Sequence, residues 1–239
     1  MPQRQILATS GGWRRDARGQ VHFDGLIHHA LRLSGKLRPR LCFVNTAGGD
    51  SGEWLAYCYS AAQGESVDAF HLQLFTMPNV DDVAAHLCSM DVVWVGGGSV
   101  ANLLALWRLH GVDQAMQEAW EGGVVLAGVS AGSICWHASG TTDSFGPELQ
   151  PVTNGLGLLP FGNGVHYDGE EQRRPLVNKL VAEGTLPLTY CTDNGTGLHY
   201  VGTELVEAVS ELEGQSAWSV ERSENGAAVE TAVPTRLLP

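Results

Sequence analysis

The sequence contains no hydrophobic run of about 18 residues and comparatively few basic side chains. Lysine and arginine number 14 against 26 aspartate and glutamate residues, so the formal net charge is −12. A nucleic-acid surface needs a basic stripe, and docking on anionic lipid needs a basic patch. The first residues also lack a basic segment followed by an apolar stretch. We therefore expect a cytoplasmic protein with no nucleic-acid partner and no membrane association.

Cysteine is also sparse, and its spacing excludes the usual disulfide and zinc frameworks. The five cysteines are odd in number, widely spaced and form no CxxC pair. This pattern is typical of reduced thiols in a protein core. Because no His or Cys cluster is visible in the sequence, we expect no metal site and no cofactor.

The composition does supply material for a large core. Hydrophobic residues make up 44% of the 239 residues, and charged residues 17%. No repeat, low-complexity segment or break in composition divides the chain. We therefore expect one domain over residues 1–239.

Apolar runs and helical patterns alternate over the first 140 residues. Predicted strands cover residues 4–9, 40–45, 67–75, 91–95 and 124–127, and predicted helices cover residues 24–34, 51–62, 81–89, 101–108 and 113–121. Strands that are apolar throughout and separated by helices indicate a parallel sheet with helices on both faces. In such sheets the chemistry lies beyond the carboxyl ends of the strands.

The second half of the sequence is less regular. Residues 139–163 are rich in Gly, Thr and Pro and predict a long loop region, and residues 170–183 predict a helix. Short strand-like runs follow at residues 188–191, 197–201, 205–209 and 217–222. These runs predict an antiparallel edge near the C-terminus.

The most informative motif is GVSAG at residues 128–132, which ends a predicted strand and precedes a predicted helix over residues 131–137. This is the setting that a nucleophile elbow requires, with Ser130 as the nucleophile. The start of the helix would present backbone N–H groups, including that of Ala131, to a developing oxyanion. A second glycine-rich strand end, GGGS at residues 96–99, lacks the lysine of a phosphate-binding loop and is better explained as a further donor of N–H groups. The alternative is a glycine-rich turn with an incidental serine.

A serine nucleophile needs a base, and His166 is the best placed of the nine histidines. It lies in a glycine-flanked segment at a predicted strand end, whereas the simpler alternative is a histidine that only fills a turn. Asp193 and Asn194 follow another predicted strand, and either could orient His166 through its Nδ1 proton. A plain Asn-Gly turn remains the alternative there.

Together these segments resemble the peptidase E (dipeptidase E)–cyanophycinase family of serine peptidases, from about residue 4 to about residue 210. The resemblance is carried by the GGG strand end and by GVSAGSICW at 128–136, TDS at 142–144, HYDGEEQRRP at 166–175 and DNG at 193–195. It implies an α/β fold of the class I glutamine amidotransferase-like, flavodoxin-like type. It also implies Ser130 as nucleophile, His166 as base, and Gly98 and Ala131 as oxyanion donors. The family's third position is usually acidic, and here it falls on Asn194, which we favour over the neighbouring Asp193.

The function expected from this resemblance is a serine peptidase that hydrolyses short peptides through an acyl-enzyme. Dipeptidases specific for N-terminal aspartate have GGGNT at the glycine-rich end, whereas this chain has GGGSV, which argues against strict aspartyl specificity. Ser99 in this segment is a candidate for substrate binding. Arg173 and Arg174 are candidates for binding a substrate carboxylate. Two alternatives remain open: a cyanophycinase-like hydrolase of β-aspartyl-arginine bonds, and an amidotransferase-like binding protein that has lost its chemistry. We expect a short peptide as partner, and a homodimer remains open.

Overall fold

In a computed structural model, which describes residues 3–239, strands and helices alternate along the first half of the chain, and strands dominate the second half. The sixteen strands of these residues are β1 (Gln5–Thr9), β2 (Trp13–Arg15), β3 (Val21–Phe23), β4 (Arg40–Val44), β5 (Asp68–Leu72), β6 (Val92–Val95), β7 (Val125–Val129), β8 (His137–Thr142), β9 (Gln150–Val152), β10 (Leu159–Gly164), β11 (Thr189–Thr192), β12 (Thr196–Val201), β13 (Glu204–Ser210), β14 (Ala217–Arg222), β15 (Ala228–Val233) and β16 (Thr235–Leu237). The α-helices are α1 (Gly25–Leu33), α2 (Gly52–Ala62), α3 (Val83–Cys88), α4 (Val100–His110), α5 (Val112–Glu121), α6 (Ala131–Ile134) and α7 (Arg173–Ala182).

Short polar side chains begin several of these helices, as the sequence predicts for helix 24–34. Asp24 accepts a hydrogen bond from the amide of Gly25, and Ser99 accepts one from Asn102 at the start of α4. Such caps satisfy amides that have no partner within the helix. Gly111, with a φ of 70°, ends α4 in the left-handed conformation that favours glycine.

The larger sheet has the strand order β16-β13-β12-β1-β7-β6-β4-β5. Its five strands β1, β7, β6, β4 and β5 are mutually parallel, which confirms the predicted parallel sheet. Strand β12 pairs antiparallel with β1, and β13 pairs antiparallel with β12, so the predicted antiparallel edge is present. The architecture is therefore a mixed α/β fold with a large sheet.

Helices cover both faces of this sheet because its strands bury both sets of alternating side chains. On one face, Leu7, Phe43 and Trp94 pack with residues of α1 and α2. On the other face, Ile6 and Val95 pack with residues of α3, α4, α5 and α6. The carboxyl ends of the parallel strands are left uncovered by either layer, which positions the residues that follow β1, β6 and β7.

A second sheet with the order β15-β14-β11-β10-β8-β9 corrects the prediction for residues 139–163. That segment contains most of β8, all of β9 and most of β10 rather than a long loop. The predicted helix over residues 131–137 is likewise too long, because α6 ends at Ile134 and the chain enters β8 at His137.

The glycines of this region serve close packing, which explains the wrong prediction. A Cβ on Gly140 would lie 2.7 Å from the carbonyl oxygen of Asn163 on the neighbouring strand, and a Cβ on Gly162 would lie 2.3 Å from Oγ1 of Thr189. A glycine-rich composition therefore marks strands that approach one another here, although it usually indicates turns.

None of the helices in the described part of the chain is long and apolar enough to span a bilayer.

A buried carboxyl group ties the N-terminal helix to the antiparallel edge. Glu211, directly after β13, accepts hydrogen bonds from the amides of Gly12 at 2.7 Å and Leu26 at 2.8 Å. Burial raises the pKa of this carboxyl from 4.5 to about 7, against the opposing effect of the two amides.

This raised pKa predicts a pH-dependent stability. The folded state holds the Glu211 proton more tightly than the unfolded state, so its contribution is fully present below pH 4.5 and is lost as the pH rises to about 7. The shift corresponds to roughly 3 kcal/mol of unfolding free energy. Urea unfolding at pH 5 and pH 8 measures it, with the non-ionisable Glu211→Gln variant as reference. Equal pH slopes for the two proteins would show that Glu211 ionises normally.

Candidate active site

Ser130 lies on a sharp turn between β7 and α6. Its φ is 58°, which is unusual for a residue with a side chain, and the neighbouring glycines explain how the turn is possible. A Cβ on Gly128 would lie 2.5 Å from the carbonyl oxygen of Gly132, and one on Gly132 would lie 2.3 Å from that of Val95. Only glycine fits at both positions, so the spacing of the GVSAG motif has a steric cause.

His166, between β10 and α7, has the second unusual backbone conformation, with a φ of 51°. Its Nδ1 lies 2.6 Å from Oδ1 of Asn194. Because an amide oxygen only accepts, His166 carries its proton on Nδ1 in this contact and leaves Nε2 with a free lone pair. Among residues 3–239, just three residues other than glycine have positive φ, and Ser130 and His166 are two of them. Backbone strain of this kind costs about 1–3 kcal/mol per residue and concentrates at functional sites.

Asn194 is held in place by its own set of contacts. Its backbone N–H donates to Oδ1 of Asp168 at 2.7 Å. The side-chain amide of Gln215 donates to the other oxygen of that carboxylate at 3.1 Å. A Cβ on Gly169 would lie 2.3 Å from Nδ2 of Asn194, so the glycine of the His-Tyr-Asp-Gly segment makes room for the amide. Asp168 therefore acts as a support for Asn194, and two donors already occupy its oxygens.

Asp193 points away from His166. Its carboxylate accepts hydrogen bonds from the amide of Ser216 at 3.1 Å and from Nε1 of Trp218 at 3.2 Å. Burial raises the pKa of this carboxyl, against these two hydrogen bonds. Of the two candidates for orienting His166, the structure brings only Asn194 into contact with it.

The end of β1 gathers the separate parts of the site. The amide of Ser130 donates to the carbonyl of Thr9 at 3.0 Å, and the amide of His166 donates to Oγ of Ser10 at 3.0 Å. The amide of Gly195, next to Asn194, donates to the carbonyl of Ser10 at 2.9 Å. Three segments that are distant in sequence are thus fixed to two consecutive residues.

The side chains of Ser130 and His166 are both half-buried. Neither is hydrogen-bonded to the other in the described structure, residues 3–239. Catalytic hydrogen bonds are often long or misaligned without substrate and tighten only in the complex. The anchoring on Thr9 and Ser10 keeps the two residues at the same edge of the sheet.

The glycine-rich end of β6 lies against the elbow. A Cβ on Gly97 would lie 3.3 Å from Cβ of Ser130 and 3.8 Å from its Oγ. Gly98 has a φ of 133°, and a Cβ there would lie 2.2 Å from the carbonyl oxygen of Ala47. In the hydrogen-bond network of residues 3–239, the amides of Gly98 and Ala131 have no acceptor. Both amides therefore remain free to donate a hydrogen bond.

The residues predicted to contact substrate already have partners within the chain. The Ser99 hydroxyl caps α4. The Arg173 guanidinium is buried and donates to Thr141 and Glu170, and that of Arg174 pairs with Glu230. A substrate carboxylate would have to displace Glu170 or Glu230 from these arginines.

An open cavity of about 490 Å³ lies beside the segment that follows His166. Its lining includes the acidic residues Asp143, Glu170 and Glu171. The amide of Glu170 donates to the carbonyl of His166 at 3.0 Å, which connects the cavity wall to the histidine. Its acidic lining suits a positively charged group.

Comparison with known proteins fixes the family. The model of peptidase family S51 matches residues 6–208. The chain belongs to peptidase family S51. It is 38% identical over 235 residues to the uncharacterized peptidase YgaJ of Bacillus subtilis strain 168, covering 98% of this chain and 99% of that protein. It is 31% identical over 150 residues to peptidase E of Streptomyces coelicolor, covering 61% of this chain and 60% of that protein.

A solved structure shares the fold. The crystal structure of a peptidase from an acI-B1 actinobacterium superposes with a TM-score of 0.68 at 15% identity, covering 97% of this chain and 95% of that one. The peptidase E resemblance expected from the sequence is thereby confirmed. The S51 chain is a peptidase, and hence a hydrolase.

Sequence reasoning missed the residues that support the site. Ser10 and Thr192, whose hydroxyl oxygens lie 2.6 Å apart, were not predicted to take part, nor was Glu211. Ser10 follows directly on a predicted strand, so its place at the carboxyl edge was available as a signal. Glu211 gave no such signal, because the two residues that its carboxylate binds lie 185 or more residues away in sequence.

The contact between Asn194 and His166 generates a test. We expect Asn194→Ala to reduce kcat for peptide hydrolysis by up to about 10⁴-fold, because the Nδ1 proton loses its acceptor and the tautomer is no longer fixed. Asp193→Ala is the matched control and should affect mainly stability, since its carboxylate binds Ser216 and Trp218. Asn194→Asp should preserve or raise kcat, because a carboxylate also stabilises the imidazolium. A severe loss in Asp193→Ala beside normal turnover in Asn194→Ala would assign the orienting role to Asp193.

Proposed function

We propose that this S51 peptidase is a serine peptidase that hydrolyses short peptides through an acyl-enzyme on Ser130. The observation that carries the proposal is the strained Ser130 turn together with the 2.6 Å contact between His166 and Asn194, both fixed to Thr9 and Ser10. The parallel strands β1, β7, β6, β4 and β5, with helices on both faces, also support the class I glutamine amidotransferase-like fold type for this site.

In the proposed reaction, Oγ of Ser130 attacks the scissile carbonyl carbon while Nε2 of His166 accepts the hydroxyl proton. The carbonyl electron pair moves onto oxygen, and the amides of Gly98 and Ala131 donate hydrogen bonds to that oxyanion. The imidazolium then protonates the leaving amine as the C–N bond breaks. Water repeats the sequence on the ester, and the serine is regenerated. Asn194 keeps the imidazole proton on Nδ1 throughout.

A specific observation favours a second substrate class. The cavity beside the segment that follows His166 carries Asp143 and Glu171 in addition to Glu170, which pairs with Arg173, and Arg174 is engaged by Glu230. An acidic cavity would attract the guanidinium of a β-aspartyl-arginine substrate, as a cyanophycinase-like hydrolase requires. Comparing kcat/KM for β-aspartyl-arginine with that for α-linked dipeptides, with and without N-terminal aspartate, decides between the two classes.

The nucleophile assignment predicts the effect of Ser130→Ala. We expect kcat on the best peptide to fall by about 10³-fold or more, because no other side chain can form the acyl-enzyme. The fold should persist, since serine and alanine experience the same backbone strain at this turn. Labelling with a fluorophosphonate should modify Ser130 in the wild type and nothing at that position in the variant.

Ser139→Ala provides the control for this experiment. Ser139 is buried and its hydroxyl has no hydrogen-bond partner, so the same substitution there should leave kcat unchanged. A Ser130→Ala enzyme that keeps more than about a tenth of wild-type turnover would disprove the assignment. Absence of fluorophosphonate labelling in the wild type would also disprove it and would favour a binding protein without chemistry.

Treatment with EDTA should leave kcat unchanged, because each proposed step uses side chains and backbone amides of the chain. Activity is measured well below the unfolding temperature, with circular dichroism to confirm that the protein remains folded. A loss of turnover in a fully folded sample, restored by zinc, would overturn the proposed serine mechanism.

A further inference from the structure

Three side chains capable of binding a metal ion meet on the sheet face that α1 covers. His199 on β12 and Glu207 on β13 lie directly opposite each other in register, and His29 reaches them from α1. Nε2 of His29 lies 3.3 Å from Oε1 of Glu207, and Nδ1 of His199 lies 3.7 Å from the same oxygen. All three atoms lie within 4.8 Å of one another, and this is the only such trio that residues 3–239 contain.

The protonation state of His199 follows from its outer contacts. Gln5 donates from Nε2 to the carbonyl of Leu33 at 3.1 Å, which fixes its amide orientation. Its Oε1 then faces Nε2 of His199 at 3.1 Å and accepts the imidazole proton. Nδ1 of the neutral ring therefore carries a lone pair directed toward Glu207. A hydrogen bond that fixes the tautomer in this way is typical of ligating histidines.

This arrangement leaves a buried electron pair on Nδ1 of His199 facing the carboxylate of Glu207. Nε2 of His29 and Nδ1 of His199 are both fully buried, and neither makes a hydrogen bond. Each histidine as a whole is only 7% exposed. A lone pair on Nδ1 and a carboxylate oxygen repel each other unless an electrophile lies between them. Unpaired buried polar atoms are costly, about 1–3 kcal/mol each, and an unmet requirement of this kind points to a ligand.

Neutral imidazole is the form in which histidine binds metals, and the burial of both rings favours that form. Arg236 donates to Oε2 of Glu207 at 2.8 Å and leaves Oε1 free for the cluster. The positive charges of Arg236 and Arg32 oppose a cation here, whereas Glu207 favours it.

We propose that His29, His199 and Glu207 form a Zn²⁺ site that attaches α1 to the antiparallel edge of the sheet. Two imidazole nitrogens and one carboxylate oxygen suit zinc better than Mg²⁺ or Ca²⁺, which prefer oxygen ligands. Tetrahedral zinc places its ligand atoms about 3.3 Å apart, so the two measured separations need only small movements. Glu207, whose side chain is 31% exposed, leaves a fourth position open to water.

The site is independent of the proposed serine chemistry. His199 pairs with Leu7, whereas Ser130 follows Val129, which pairs with Thr9 two residues farther along β1. The zinc would contact α1, β12 and β13 and would stabilise the folded chain without touching the substrate. The proposal departs from the expectation of no metal site, which considered only residues close in sequence.

Zinc binding to the full-length, tag-free protein tests the proposal, because a polyhistidine tag would itself bind metal. After dialysis against EDTA and removal of the chelator, calorimetric titration should show one Zn²⁺ bound tightly per chain. At free zinc about 100-fold above the dissociation constant, Tm should rise by roughly 5–10 °C. Co²⁺ should give the intense visible ligand-field bands of a tetrahedral site, whereas Mg²⁺ should leave Tm unchanged.

Substitutions identify the ligands. His29→Gln and His199→Gln should each weaken zinc binding by about 100-fold or more. His28→Gln is the matched control, since His28 is the neighbouring residue on α1 and pairs with Glu65 on the surface. If one ligand variant fails to fold, the other decides the question. Stoichiometric binding that survives both substitutions, equal loss in His28→Gln, or no zinc bound by the wild type would each overturn the site.

Discussion

The hydrogen bonds made by Thr9 and Ser10 are the constraint on which the rest of the site depends. The carbonyl of Thr9 accepts the amide of Ser130. The hydroxyl of Ser10 accepts the amide of His166, and its carbonyl accepts the amide of Gly195. Consecutive residues lie about 3.8 Å apart at their Cα atoms, so this segment holds the three strand ends at the same place on the edge of the sheet. β1 can do this because it lies between parallel β7 and antiparallel β12, at the point where the sheet changes direction.

The strained turns depend on the same anchoring. Ser130 and His166 both have positive φ, a conformation that relaxes unless surrounding contacts hold it. At Ser130 the contacts are the bond to Thr9 and the two glycines that let strands β6 and β7 approach. At His166 they are Ser10 on one side and Asn194 on the other. The contacts of the parallel sheet therefore offset the free-energy cost of two unfavourable backbone conformations.

The sequence predicts those parts of the fold that depend on neighbouring residues. Apolar strands, helix caps and the GVSAG turn are local patterns, so the parallel sheet, the helices of the first half and the position of Ser130 could be predicted. Strands β8 to β10 could not, because Gly140 and Gly162 serve contacts between strands that no local pattern reveals. Asn194 was favoured only through resemblance to a family. The supporting residues Asp168, Ser10 and Glu211 form hydrogen bonds with residues 26 to 199 positions away in sequence. No local sequence pattern predicts contacts over such separations.

Residues in and directly after strand β13 contact the segments that position the candidate site. Glu207 on β13 and Glu211 four residues later lie on the face that α1 covers, and they contact that helix near His29 and at the amide of Leu26. Gly12 and Gly195 contact the same segment, since Gly12 donates to Glu211 and the carbonyl of Gly195 accepts the amide of Glu211. These hydrogen bonds continue from Gly195 to the carbonyl of Ser10, whose hydroxyl accepts the amide of His166. The antiparallel edge carries no residue of the proposed triad, but the residue that follows β13 holds α1 and the Gly195 segment against the end of β1.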